Sequence, residues 1–170
     1  MSEMPGLVHD GMYKVTWVPT MADIDSPTVA ELTAAGAIDL ECQITPDGLG
    51  REASDESVDT SRLCSVFSTM QVGRTSFEVS LTLVRLDEEA IAPATDEAYH
   101  TLKKGTRGYL VVRDNLPAGT AYAAAQELEV FPVQCGTRSK ANPAANELQT
   151  FTLPLFVTGD PALEAVIAGP

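Results

Sequence analysis

Residues 76–83 read Ser-Phe-Glu-Val-Ser-Leu-Thr-Leu, with Phe77, Val79, Leu81 and Leu83 on one side of an extended chain and Ser76, Glu78, Ser80 and Thr82 on the other. Successive side chains of a β-strand point to opposite faces, so this period of two predicts a strand with one face in a core and one in water. The pattern runs on to about Leu86. The cleanest example is residues 38–45, where Ile38, Leu40, Cys42 and Ile44 alternate with Asp39, Glu41, Gln43 and Thr45. Half-exposed strands of this kind belong to antiparallel sheets.

Working outward, residues 66–72 are the expected partner of the strand beginning at Ser76, joined to it by a turn at Gly73-Arg74. Residues 150–157 alternate as well, and Pro154 predicts an edge or bulged position because proline cannot donate to the ladder. Leu128 and Val130 share one parity, whereas Phe131, Val133 and Cys135 share the other, which predicts a bulge at Pro132. Residues 109–113 are apolar on both sides and suit a central strand, and Tyr13, Val15 and Trp17 form an N-terminal one. Seven or eight strands result. One helix is expected with Thr95 as N-cap, Asp96 and Glu97 in its first turn and Lys103, Lys104 and Gly105 closing it. A shorter helical turn is expected over residues 28–35, stopped by Gly36. Residues 46–60 and 116–125 read as long irregular loops, which in compact domains usually carry function. The fold class is therefore mainly β, an antiparallel β-sandwich or barrel with one flanking α-helix, in a single domain over residues 1–170 with a short C-terminal tail at 160–170.

Composition narrows the function. The chain has 170 residues, 44% hydrophobic and 21% charged, enough for one domain with a sizeable core. Its 24 acids and 11 bases leave a formal charge of -13, the opposite of a surface that binds phosphates by releasing counterions. This argues against tight nucleic-acid binding. The first 60 residues hold 12 of the acids and only two bases, Lys14 and Arg51. No run is long and apolar enough to span a bilayer as a helix, and the N-terminal residues lack the basic and apolar regions of a secretory signal. Cys42, Cys64 and Cys135 are odd in number and without CxxC spacing, so they read as buried thiols rather than a disulfide framework or zinc site.

Candidate chemistry is sparse. His9 and His100 lie far apart with no catalytic motif around them, and neither is assigned a role. Asp55, Glu56 and Asp59 crowd one acidic stretch but lack the spacing and central glycine of a calcium loop. The glycines form no phosphate-cradling pattern, and Arg62 beside Cys64 is a weak activator of a thiol. No catalytic, cofactor-binding or metal-ligating residue is identified, and no cofactor or enzymatic activity is expected. What stands out is acids on strand faces with few bases between them, namely Asp39, Glu41, Glu78, Glu127 and Glu129.

A family resemblance enters through motifs in order: Ile38-Asp39-Leu40-Glu41, Thr45-Pro46-Asp47-Gly48, residues 59–65 as Asp-Thr-Ser-Arg-Leu-Cys-Ser, residues 96–105 as Asp-Glu-Ala-Tyr-His-Thr-Leu-Lys-Lys-Gly, and residues 108–113 as Gly-Tyr-Leu-Val-Val-Arg. Together with the closing Leu155-Phe156-Val157-Thr158-Gly159, these resemble the tail tube (major tail) proteins of long-tailed bacteriophages of actinobacterial hosts, from about Val15 to Gly159.

The resemblance implies a structural virion protein, assembled in the host cytoplasm, that forms hexameric rings stacked into a tube through which the genome passes. Its partners would be other copies of itself and the tape-measure and terminator or baseplate proteins, with DNA passing unbound and no membrane. A DNA conduit should repel DNA, and six copies at -13 apiece bring -78 to each ring. Asp39, Glu41, Glu78, Glu127 and Glu129 are then the lumen-facing candidates. Residues 46–60 become an inter-ring loop, with Arg51 and Arg62 as bases for carboxylates such as Asp55, Glu56 and Asp59 across the interface. The alternatives are a monomeric acidic β-sandwich that binds a ligand or glycan, and another phage structural protein such as a capsid decoration or tail terminator.

Overall fold

The computed structural model describes residues 9–169. In chain order its elements are β1 (Lys14–Val18), α1 (Val29–Leu32), β2 (Ile38–Asp39), β3 (Ile44–Asp59), β4 (Met70–Val84), α2 (Glu97–Thr101), β5 (Arg107–Arg113), β6 (Glu127–Cys135), β7 (Ser139–Lys140), β8 (Thr150–Val157) and β9 (Ala162–Val166). Every pairing is antiparallel, in the order β2-β1-β5-β6-β8-β4-β3, with β7 on β8 and β9 on β6. The mainly β antiparallel fold is thus as the sequence predicts.

The sheet has to curl. β2 and β3 lie at opposite ends of the strand path, yet only residues 40–43 join them. Six strand spacings of a flat sheet would separate the ends by ~29 Å, whereas the connector reaches at most ~17 Å. It is stitched to both ends, since the Leu40 amide donates to the Val15 carbonyl and the Val84 amide to the Gln43 carbonyl, each at 2.8 Å.

Curling gives the sheet an inside and an outside, and each has a core. Inside lie Trp17, Leu81, Leu83, Leu110, Phe131, Phe151 and Leu153, closed by Ala98 and Leu102 around α2. Outside β1, β5 and β6, a second core of Val18, Val111, Leu128, Val130, Ala165 and Ile167 is covered by α1 and β9. Trp17 is packed so closely that a Cβ on Gly108 would stand 2.4 Å from its Cζ2.

The second core explains one correction. The change of parity around Pro132 is no bulge, because β6 keeps an unbroken register on β5 from Gln134 to Glu129. Leu128 and Val130 instead serve the outer core, and Phe131, Val133 and Cys135 the inner one. Pro154 likewise does not mark an edge. β8 runs between β4 and β6, and its proline falls where its partner changes from β7 to β6. The predicted strand over 38–45 stops at Asp39, since the chain must turn through residues 41–43 to cross between the sheet ends. The C-terminal stretch contributes β9, with Ala162, Ala165 and Ile167 buried. Of the three cysteines only Cys135 is buried, while Cys42 and Cys64 are free and exposed.

Both helices are shorter than expected, α1 ending at Leu32 rather than near residue 35 and α2 at Thr101 before the two lysines. Asp96, not Thr95, caps α2: its Oδ1 accepts from the Tyr99 amide at 3.2 Å, and its Oδ2 from Arg85 Nε at 2.9 Å and the Leu86 amide at 3.1 Å. A fully buried carboxylate is tolerable only with such partners. Thr28 caps α1 in a reciprocal capping box with Glu31, and Gly36 follows at φ +96°.

Residues 116–126 form no regular element, yet they are fixed. Fully buried Arg113 donates from Nη1 to the Gln126 side chain at 3.0 Å and from Nη2 to the Pro117 and Thr120 carbonyls at 2.9 Å each. Tyr122 OH meets Thr16 Oγ1 at 2.8 Å, and burial pushes its phenol up to about 12. The unfolded phenol ionises near pH 10. The stabilising contribution is therefore complete below pH 10 and fades as pH rises toward 12, by up to ~3 kcal/mol. Comparing urea midpoints at pH 8 and pH 11, we expect the parent chain to lose more stability than Tyr122→Phe, and equal losses would contradict the assignment.

Candidate functional site

β3 and β4 are far longer than their neighbours. β8 accompanies β4 only over Glu78 to Val84, so residues 70–77 have β3 alone for a partner. The result is a two-stranded arm, residues 52–77, rising ~24 Å beyond the barrel before its 60–69 turn. Every residue from Glu52 to Val72 is exposed.

This corrects two expectations at once. Residues 46–60 are not an irregular loop but most of β3, and the hairpin turns at 60–69 rather than at Gly73-Arg74. The turn is held by the Thr60 amide donating to the Thr69 carbonyl at 2.8 Å and by Ser61 Oγ accepting from the Thr69 amide at 3.1 Å. Gly73 instead sits at a register shift between Asp55 and Ser57, where a Cβ would lie 3.0 Å from the Glu56 carbonyl oxygen.

The arm's surface is unusual for this chain. Leu63 is 111% exposed, Val66 91% and Phe67 81%, with Met70, Val72 and Val58 also exposed. Residues 60–77 contain Arg62 and Arg74 and no acid, while the other residues hold all 24 acids against nine bases. An apolar, cationic tip thus projects from a strongly acidic body. Contiguous exposed apolar residues of this kind mark interaction surfaces.

The acids singled out from sequence do not share a face. Asp39 accepts from Thr16 Oγ1 at 2.8 Å, and Lys14 Nζ lies 3.4 Å from both Asp39 and Glu41. Glu127 is exposed at the start of β6. Glu129 takes an ion pair from Arg51, which also lies 3.8 Å from Asp114, so that residue spans the barrel mouth within one chain. Glu78 is exposed on the outer face of β4, directly across from Glu52. Along the arm, Asp55 accepts from Thr75 Oγ1 at 2.7 Å and Asp59 from the Ser61 amide at 2.8 Å. Hydrogen bonds from Ser61 hold the Asp59 carboxyl below its usual range. Asp55, Glu56 and Asp59 do not gather into a cluster that could hold a metal ion. Arg62 lies in the tip and makes no ion pair among the described residues. Sequence reasoning missed the Arg51 to Glu129 pair, whose partners are 78 residues apart and carry no local signal.

No group of three or more His, Cys, Asp or Glu is placed to hold a metal ion among the described residues. A family model described as "Phage tail tube protein" matches residues 1–170. None of the curated proteins matches the chain. Among solved structures, a chain of the cryo-EM structure of the anti-feeding prophage baseplate, 6-fold symmetrised, is similar in fold, with a TM-score of 0.57, 10% identity, and 94% of this chain and 95% of that one covered. The matching family is structural rather than enzymatic.

Because Leu63, Val66 and Phe67 are exposed, these side chains should not stabilise the fold. Phe67→Ser and Leu63→Ser are expected to change unfolding stability by less than ~0.5 kcal/mol, whereas fully buried Leu81→Ala costs ~2–5 kcal/mol. Denaturant titration measures both, and a large loss on substituting the tip would mean that it packs on its own body.

Proposed function

The chain belongs to the phage tail tube protein family, and from that premise we propose that it polymerises as hexameric rings stacked into the tail tube, with the β3–β4 arm as the contact between rings. The observation that carries the reading is the arm itself. A two-stranded ribbon is marginal in water on its own, and this one holds six exposed large apolar residues, the kind of surface a second molecule covers. The six-fold symmetry of the baseplate chain it resembles agrees with a ring of six.

In this arrangement the outer face of β4 and β8 is the best channel wall. Glu78, Glu52 across from it, and the hydroxyls of Ser80, Thr82 and Thr152, with exposed Phe156 beside Glu78, give an acidic surface without a base. Such a wall repels a duplex that carries a phosphate charge every ~1.7 Å. The tape-measure protein and the terminator or baseplate proteins would meet the tube's interior and ends. On this reading the product is a component of the virion tail, assembled in the cytoplasm of an actinobacterial host, as the resemblance of its motifs suggests.

Concentrated protein should show tubes or stacked rings by negative-stain microscopy, and particles of monomer size would reject the reading. Copies of charge -13 repel one another more strongly than two arginines attract, so salt, which shortens the reach of charge to ~8 Å at physiological strength, should ease assembly. Arg62→Glu removes the cation nearest the tip and is expected to block tube formation while the monomer stays folded. A variant that polymerises normally at matched ionic strength would show that the contact does not use this charge.

Hydrogen exchange supplies an independent check. Amides of residues 52–59 and 70–77 should exchange quickly in the free chain and slowly in the tube, whereas those of residues 79–83 should be protected in both. Equal protection of the arm in the two states would exclude ordering by a neighbouring subunit.

A further inference from the structure

At the root of the arm the register of β3 on β4 breaks between Ile44 and Leu49, and residues 45–48 have no ladder partner on β4. They leave a recess of about 660 Å³ at the barrel mouth, with Tyr13, Val15, Ile44 and Leu49 among its walls and Cys42 and Ala118 also lining it. We propose that this recess receives the arm tip of a second copy, with Leu63, Val66 and Phe67 entering it. The inference rests on the stacked-tube reading and adds to it the place where each arm ends.

Three observations point to that occupant. The volume lies within the ~300–1,000 Å³ of pockets that enclose several side chains' worth of ligand, and most of the wall is apolar, as is the tip. Charge agrees: Asp10 lines the recess, Glu41 there is shared with Lys14, its one arginine, Arg51, is engaged by Glu129 and Asp114, and the tip brings Arg62 with no acid in residues 60–77. Position completes the argument. Tip and recess sit at opposite ends of the same extended ribbon, ~27 Å apart over the eight residue steps from Arg51 to Asp59, so a chain cannot fill its own recess. A contact between different patches on the two partners is heterologous, and when it does not close it propagates as an open stack.

The chain carries its own distance probes. Cys42 lines the recess, Cys64 lies in the tip between Leu63 and Val66, both are free and exposed, and Cys135 is buried. A disulfide needs Cα atoms within ~7 Å, so cross-linking reports seating of the tip. Assembled protein is oxidised with copper-phenanthroline and dissolved oxygen, then run on a non-reducing gel. Each chain offers one tip and one recess, so we expect a ladder of dimers, trimers and longer species that disappears in Cys42→Ser and in Cys64→Ser. Ala118→Trp, which fills the recess, should give unstacked rings with unchanged circular dichroism.

Tubes that yield no cross-link, dimers that persist in Cys42→Ser through tip-to-tip contact, or Ala118→Trp tubes of normal length would overturn the docking while leaving stacking intact. Unlinked tubes in which deleting residues 1–8 newly exposes Cys42 to a thiol reagent would overturn it in favour of the chain's own N-terminal segment. Failure of the unmodified protein to form rings or tubes at all would reject the stacking reading and the docking together.

Discussion

Four residues, Leu40 to Gln43, set the terms for the whole molecule. Because they must join the two ends of a seven-strand path, the sheet cannot lie flat, and the energetic consequence is a closed inner core. Closure also fixes where β3 starts. It enters beside Leu83 at the barrel mouth, bulges past the recess, and only then settles into steady register with β4. The arm therefore leaves the body as a continuation of a strand whose lower half is anchored by β8, and its direction is set by rigid barrel rather than by loose loop.

The parts of this fold that were legible in sequence are those with one wet face and one dry one. β4 from residue 78 onward and β8 obey that period because burial decides which side chain each position can hold, and β5, dry on both faces, reads instead as an apolar run. β3 is illegible for the opposite reason. Both faces of the arm are in water, so no apolar alternation is required, and Glu52 to Asp59 look like loop. Strand β6 misleads in a third way: two cores on opposite faces make a regular strand resemble a bulged one. Cysteines 42 and 64 were expected inside on residue type alone, and they lie on the turn and the tip that the missed topology creates. The acidic residues were visible, but not their partners, since ion pairs such as Arg51 to Glu129 depend on closure of the sheet.

Folding uses cations heavily. Lys14, Arg51 and Arg85 are engaged by carboxylates, and Arg113 by carbonyl and amide oxygens, while Arg85 and Arg138 flank the Tyr99 ring at 3.5 and 4.0 Å. The hydrogen bond from Lys140 and the surrounding cations draw the Tyr99 phenol below its usual range. Few bases remain to offset 24 acids. Self-repulsion is the result, and it is met within the chain at places such as the cross-strand pair Glu52 and Glu78. Like charges placed opposite one another weaken a sheet by some tenths of a kcal/mol. Retaining them is reasonable where a surface must stay free of polyanions.

The same acids bear on how an exposed ribbon avoids pairing with the wrong neighbour. Unpaired strand edges invite edge-to-edge addition, and proteins guard them with charge. Along β3 the guard is Glu52, Asp55, Glu56 and Asp59, four carboxylates in eight residues. Two arms brought side by side would set these rows against each other in near-parallel register, whereas a tip approaching an acidic body meets opposite charge. The acids of the arm's shaft and the acid-free tip therefore act together. The shaft disfavours lateral pairing of arms, the tip supplies apolar surface and positive charge, and the contact left open to the ribbon is the end-on one.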